Sequence, residues 1–223
     1  MKLTEKIFWY PWQGHGNNCN SYIIKSEKTI LIDPGHIRNE FREDCLGSLT
    51  KKIEADGISL EDVDMVLCTH GHPDHYESAS TIKEKSNARV AIHKDEEPLL
   101  QAMASMFGQS GSAGDAPDIM LEEGILDVGD ISLQIIKTPG HSPGSSCFYF
   151  GEEEVLFSGD TIFRSSIGRT DLPGGDMKTM GESVDKLAKI SGIKILLPGH
   201  MDAVEGEENV KRNFETIKNF FFR

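Results

Sequence analysis

Five apolar runs in this chain each break off at a turn, and each turn carries a histidine or an aspartate. They are Ile30-Leu31-Ile32-Asp33, Val66-Leu67-Cys68-Thr69-His70, Ile135-Ile136-Lys137-Thr138-Pro139-Gly140-His141, Val155-Leu156-Phe157-Ser158-Gly159-Asp160 and Ile195-Leu196-Leu197-Pro198-Gly199-His200. Short apolar runs bounded by turn signals read as buried strands. Gly and Pro let the backbone turn tightly, so side chains at neighbouring strand ends can converge on one rim. The second turn is the densest. Residues 69–75 read Thr-His-Gly-His-Pro-Asp-His, in a chain with 8 histidines in all. One such residue alone reads as a turn stabiliser or a solvated loop histidine; five strand ends together point to a shared metal site.

The stretches between these runs fill in an α/β chain. The N-terminal third alternates β-like runs, Lys6–Trp12, Cys19–Lys25 and Thr29–Asp33, as a meander would. Phe41, Cys45, Leu49 and Ile53 recur at four-residue spacing and stop before Asp56-Gly57, which predicts an amphipathic helix. Ser78–Lys85 and Asp95–Phe107 read as further helices around a strand at Arg89–His93, with Met103, Met106 and Phe107 as core. Gly108–Pro117, rich in Gly, Ser and Ala, is a candidate mobile loop or lid. Ile131, Leu133 and Ile135 alternate as a strand, and Cys147–Phe150 with Glu154–Phe157 form a hairpin around Gly151. Val184, Leu187 and Ala188 mark a helix ending at Gly192, and Lys194–Leu197 is a short strand. Val210, Phe214, Ile217 and Phe221 define a terminal helix, with Phe220–Phe222 as packing or a homodimer contact. Both halves run strands and then helices, which predicts two sheets stacked between outer helices within a single domain spanning 1–223.

Composition narrows the partners. A net charge of −13 gives an average field that repels phosphate backbones and anionic lipid, so no nucleic acid and no membrane partner is expected. No N-terminal apolar h-region and no run of about 18 apolar residues occurs, which predicts a cytoplasmic protein. Cys19, Cys45, Cys68 and Cys147 form no Cys-x-x-Cys pair, and Cys68 and Cys147 read as buried small hydrophobes.

The ligand-type residues sort into two sets. His70 and His72, two apart in an extended segment, can take one metal together with His141. Asp74 and His75 follow Pro73 on the first turn of a helix and can take a second metal with His200. Asp160, with two carboxylate oxygens, is the bridge. Together these are too many for one tetrahedral ion and the right number for two. Two divalent ions are therefore expected; zinc comes first, and His/Asp ligation without thiolate also suits iron or manganese.

In order and spacing these residues resemble the metallo-β-lactamase superfamily, whose signature is His-x-His-x-Asp-His followed by a distant His, an Asp and a final His. The resemblance covers essentially the whole chain. It implies a four-layer αββα sandwich, two mixed sheets between outer helices, and makes Asp33 a residue that orients the cluster. Thr138–Ser145 (TPGHSPGS) and Ser158–Asp176 (SGDTIFRSSIGRTDLPGGD) resemble the glyoxalase II-like branch, which hydrolyses hydroxyacyl-thiol thioesters. The chain departs from full-length glyoxalase II in that 23 residues follow His200, leaving no room for the helical C-terminal domain that contacts glutathione there. A second branch, the persulfide dioxygenases, also resembles Gly168-Arg169-Thr170-Asp171 and uses one iron.

The expected activity is metal-dependent hydrolysis of an anionic hydroxyacyl thioester by a metal-bridging hydroxide, with Asp74 and Asp160 as the carboxylates of the catalytic centre. A thiol of pKa about 8.5 leaves as thiolate without a strong general acid. Arg169 is the candidate contact for the substrate's anionic tail, against an ion pair with Asp171 or Asp176. Tyr76 is expected to pack, His15 and His36 to occupy loops, and His93 to cap a strand. The alternatives are the dioxygenase and a metal-binding protein without catalysis.

Overall fold

A computed structural model describes residues 1–107 and 116–222, which fall into two compact units. Most of the Gly108–Pro117 stretch therefore lies outside the described residues, as do the side chains of Met106 and Phe107. The first unit comprises Met1–Leu121 and Val128–Ile131; the second comprises Glu122–Asp127 and Ser132–Arg223.

The first unit is built on a six-stranded mixed sheet whose spatial order follows the chain: β1 (Ile7–Tyr10), β2 (Ser21–Lys25), β3 (Thr29–Ile32), β4 (Met65–Leu67), β5 (Arg89–His93) and β6 (Ile119–Leu121). The first three strands form the antiparallel meander. From β3 onwards the pairs are parallel. Parallel neighbours need crossovers, which here carry α1 (Cys45–Ala55), α2 (Pro73–Tyr76), α3 (Ala79–Ser86) and α4 (Glu97–Phe107). Leu31, Val66, Cys68, Val90 and Ile92 pack with Leu49 and Ile53 of α1 and Ile82 of α3. The alternate residues Ile30, Ile32, Leu67 and Ala91 are also fully buried. Burial on both faces explains why these strands read as continuous apolar runs rather than alternating ones. Truncating Leu31 to Ala would cost about 3 kcal/mol.

Helix α1 starts at Cys45, four residues later than the spacing of Phe41, Cys45, Leu49 and Ile53 suggests. Asp44 stops it there, because its carboxylate accepts the Gly47 N–H as an N-cap. Phe41 consequently lies outside the helix and is exposed.

The second unit holds another six-stranded mixed sheet, in the order β14 (Val204–Glu205), β13 (Ile195–Pro198), β10 (Val155–Gly159), β9 (Ser146–Phe150), β8 (Ile131–Lys137), β7 (Gly124–Val128). Strands β8, β9 and β10 are antiparallel, and β13 joins β10 in parallel. Between β10 and β13 run a two-stranded hairpin, β11 (Ile162–Phe163) with β12 (Ser166–Ile167), and helix α5 (Met177–Leu187). Ile136, Cys147, Leu156 and Leu196 pack against Met180, Val184 and Leu187 of α5 and Val210, Phe214 and Ile217 of α6 (Glu207–Phe221). Of the terminal aromatic trio, Phe221 and Phe222 pack on this core while Phe220 is exposed.

Strands β6, β7, β11, β12 and β14 and the first turns of α5 went unread in the sequence. The strands are two to five residues long, and α5 opens on Asp176, whose side chain caps the Thr179 N–H. All four cysteines are free and buried. Among the described residues no helix is long and apolar enough to cross a membrane.

Candidate metal centre

In the first unit the parallel register sets Ile32 beside Leu67, so Asp33 leaves β3 next to the turn that leaves β4. Asp33 is non-glycine at φ 51°, and its carboxylate is buried. One oxygen, Oδ1, accepts the Thr69 backbone N–H at 2.8 Å; the other, Oδ2, accepts the Thr69 hydroxyl at 2.8 Å and faces His75 Nδ1 at 2.9 Å. A carboxylate there fixes the histidine with its proton on Nδ1 and its lone pair on Nε2. The same logic reaches His70. The Thr69 hydroxyl has given its proton to Asp33, so at 3.0 Å it can only accept from His70 Nδ1–H, which again leaves the lone pair on Nε2.

Pro73 sets the next step. It occupies the first position of α2 and holds the preceding His72 in an extended conformation, φ −68° and ψ 146°. His70 and His72 therefore lie on an extended segment, and Asp74 and His75 on the first helical turn. Ligand atoms of His70 and His72 come within 4.8 Å of each other, as do those of His70 and His75. The His75 Nε2 to Asp74 Oδ2 distance is 3.9 Å. Burial pushes the neighbouring Cys68 thiol up, with the Asp33 charge adding to the effect. Cys68 is thereby kept protonated at neutral pH, as a buried apolar thiol.

The second unit carries the other strand ends. Between Phe157 and Gly159 the register of β10 shifts against β13, and the Ser158 hydroxyl donates to the Ile162 carbonyl, turning the chain at Asp160. Asp160 Oδ2 lies 3.5 Å from His141 Nε2 and 3.5 Å from His200 Nε2. His141 donates from Nδ1 to the Arg169 carbonyl at 2.7 Å, so its Nε2 also carries the lone pair. Gly140 makes that loop possible: at φ 135° a Cβ would sit 2.5 Å from Met180 Cα. Gly168 is equally constrained, since a Cβ there would meet the Asp160 carbonyl at 1.9 Å. The His200 ring stands edge-on to Phe163, with centroids 5.8 Å apart.

The family model of the metallo-β-lactamase superfamily matches residues 15–200, from before the first strand end to the last histidine. The chain belongs to the metallo-β-lactamase superfamily. It is 34% identical over 197 residues to a probable metallo-hydrolase of Methanocaldococcus jannaschii, covering 84% of this chain and 89% of that one. It is 30% identical over 197 residues to the hydroxyacylglutathione hydrolase GloC of Haemophilus influenzae, covering 85% and 88%. Among solved structures, TTHA1623 in a di-iron-bound form matches with a TM-score of 0.72 at 28% identity, over 95% of this chain and 98% of that one. The α/β fold is the metallo-β-lactamase fold, as the sequence resemblance implies.

Metallo-β-lactamase superfamily proteins bind metal ions, and this chain surrounds its ligand-type residues with supports that the signature does not contain. Asn17 Nδ2 donates to Asp74 Oδ2 at 2.8 Å. Glu96, fully buried, accepts the Gly71 N–H at 2.7 Å and so fixes the peptide between His70 and His72. No sequence signal marks these two, because amides and acids are common and their partners here are distant or main-chain. The Arg169 guanidinium pairs with Asp171 at 2.9 and 2.8 Å, and the carbonyl of Arg169 is what holds His141. The remaining histidines have local roles. His15 is exposed beside Glu43, His36 Nδ1 meets Glu77 at 2.6 Å, and His93 accepts the Asp95 N–H at the end of β5. Tyr76 belongs to the buried core.

Proposed function

We propose that His70, His72, Asp74, His75, His141, Asp160 and His200 serve one binuclear metal centre that hydrolyses a hydroxyacyl thioester. The observation that carries this reading is the shared commitment of three imidazoles: His70, His75 and His141 each spend Nδ1–H on a hydroxyl, carboxylate or carbonyl oxygen and keep a lone pair on Nε2. That is the donor chemistry a divalent ion needs, and neutral imidazole with carboxylate suits zinc, iron or manganese. Divalent ions held by these seven residues would supply a water of lowered pKa and Lewis acidity towards a carbonyl oxygen.

The protein's own side chains do the remaining work. Asp33 holds His75 directly and His70 through the Thr69 hydroxyl, each in one tautomer and orientation, which removes a reorganisation cost when metal binds. Asp160 presents one oxygen, Oδ2, to two imidazoles, and as a carboxylate with two oxygens it would be the residue shared by the pair of ions. A thiolate departs without a general acid, so the centre needs no protonated side chain beside the leaving group. Arg169 is 68% exposed, and an exposed ion pair is screened by solvent, so exchanging Asp171 for the carboxylate of an anionic substrate costs little. The likeness to the Haemophilus influenzae hydroxyacylglutathione hydrolase supports a hydroxyacyl thioester of an anionic thiol as substrate, with zinc as the first metal to try.

Two assays run side by side on one metal-loaded preparation test the reading: thiol release from a hydroxyacylglutathione, and oxygen uptake with a glutathione persulfide. Thiol release lost in Asp160→Ala is the expected result. Persulfide-dependent oxygen uptake without thiol release would replace hydrolysis with dioxygenase chemistry, and metal content without either activity would leave a binding protein.

A further inference from the structure

We infer that the second unit carries an anion-binding site, separate from the proposed metal ligands, at the tip of the β11–β12 hairpin. A cavity of about 350 Å³ opens there, lined by Arg164 and Ser165 of the hairpin and by Asn209, Arg212 and Thr216 of helix α6. In a chain of net charge −13, most cations would be expected to pair with acids. Arg164 instead hydrogen-bonds the Ala203 carbonyl, and neither Arg164 nor Arg212 has a carboxylate partner among the described residues. Glu205 also lines the cavity, leaving a net positive lining with hydroxyl and amide donors around it.

The hairpin tip is built to hold its shape. Ser165 sits at φ 55°, a left-handed conformation that costs a non-glycine residue free energy and persists only where the surroundings enforce it. Asn213, itself buried, does the enforcing: its Oδ1 accepts the Ser165 N–H at 2.7 Å and its Nδ2 donates to the Phe163 carbonyl at 2.9 Å. Both central peptides of the turn are thus fixed from α6, and the turn presents Arg164 and Ser165 to the same opening as Arg212. Two guanidinium forks with neighbouring hydroxyls match the oxygens of a phosphate or a carboxylate. The ligand class is a small oxyanion-bearing molecule. Phe163, at the other end of the turn, packs on the His200 ring, so occupancy of the cavity bears on the segment that carries that histidine.

The site does not depend on the hydrolytic reading, because its test reads binding alone. The metal-loaded full chain is titrated calorimetrically with inorganic phosphate and, separately, with glutarate. The expected result is saturable binding of one of the two at about one per chain, weakened roughly tenfold or more in Arg212→Gln and abolished in the Arg164→Gln/Arg212→Gln double variant at unchanged metal content. The exposed Arg212 side chain makes no hydrogen bond or ion pair among the described residues, so an unchanged melting temperature in Arg212→Gln separates loss of binding from loss of fold. Phosphate selectivity would assign a phosphorylated ligand, and glutarate selectivity a carboxylate. Binding of neither anion, or binding that persists in the double variant and so belongs to the metals, overturns the inference.

Discussion

Asp33 shows how much one buried carboxylate can organise. It accepts from the Thr69 backbone and hydroxyl and faces His75, so three groups of the cluster depend on two oxygens. Asp33→Asn keeps the shape but replaces one acceptor by a donor, which sets an N–H against either Thr69 or His75. Metal affinity should fall about 10- to 100-fold, read by competition with a chromophoric chelator, while the far-UV circular dichroism stays native. An unchanged affinity would mean that Asp33 is structural only. Gly168→Ala tests a backbone constraint. Its Cβ would meet the Asp160 carbonyl, so the chain must shift there and carry the Arg169 carbonyl away from His141. Thermal stability should drop by about 2–4 kcal/mol, and metal retention should fall with it. The chemistry-bearing residues were legible because histidine is rare and strand-end punctuation repeats. Asn17, Glu96 and the Arg169 carbonyl were not, since a main-chain acceptor leaves no mark in the sequence and an Asn or Glu carries no address.

Elements were legible where periodicity was strong and illegible where a cap or a bulge overrode it. The strands β2, β3, β4, β5 and β9 lie where apolar runs place them, and α6 follows its four-residue spacing over Glu207–Phe221. Helix α1 begins late because Asp44 caps it, and the hairpin of β11 and β12 is too short to show a period. The segment before α1 offers a pH test. Hydrogen bonds from the Asn39 amide, and then from the Gly16 and His15 N–H groups, hold the Glu43 carboxyl down from an ordinary 4.5 to about 2. A depressed folded-state value stabilises above the ordinary one and ceases to do so as the pH falls towards the folded value. The melting temperature of the native chain should therefore exceed that of Glu43→Gln most at about pH 6, and the gap should narrow below about pH 4.5 and close as the pH falls through about 2. A gap independent of pH would assign the effect to shape rather than charge.

At the scale of the molecule, the central strands of both mixed sheets and the helices beside them follow from the way apolar runs and amphipathic stretches alternate along the chain, whereas the edge strands β6, β7 and β14 do not. The division into two compact units was not visible in the sequence, which reads as a single domain. With a net charge of −13, the proposed anionic ligands would have to be met by local groups such as Arg169 and the Arg164–Arg212 cavity rather than by the average field of the chain. Metal that binds the folded chain alone stabilises it by mass action. Loading at about 100 times the dissociation constant should add roughly 2.7 kcal/mol, and a chelator should remove it reversibly. A two-metal hydrolase leaves a stoichiometric signature in the rate of hydroxyacylglutathione hydrolysis by the metal-free chain as zinc is added. The rate should climb to a plateau at about two equivalents per chain. A plateau at one equivalent, or no hydrolysis at any loading, would contradict it.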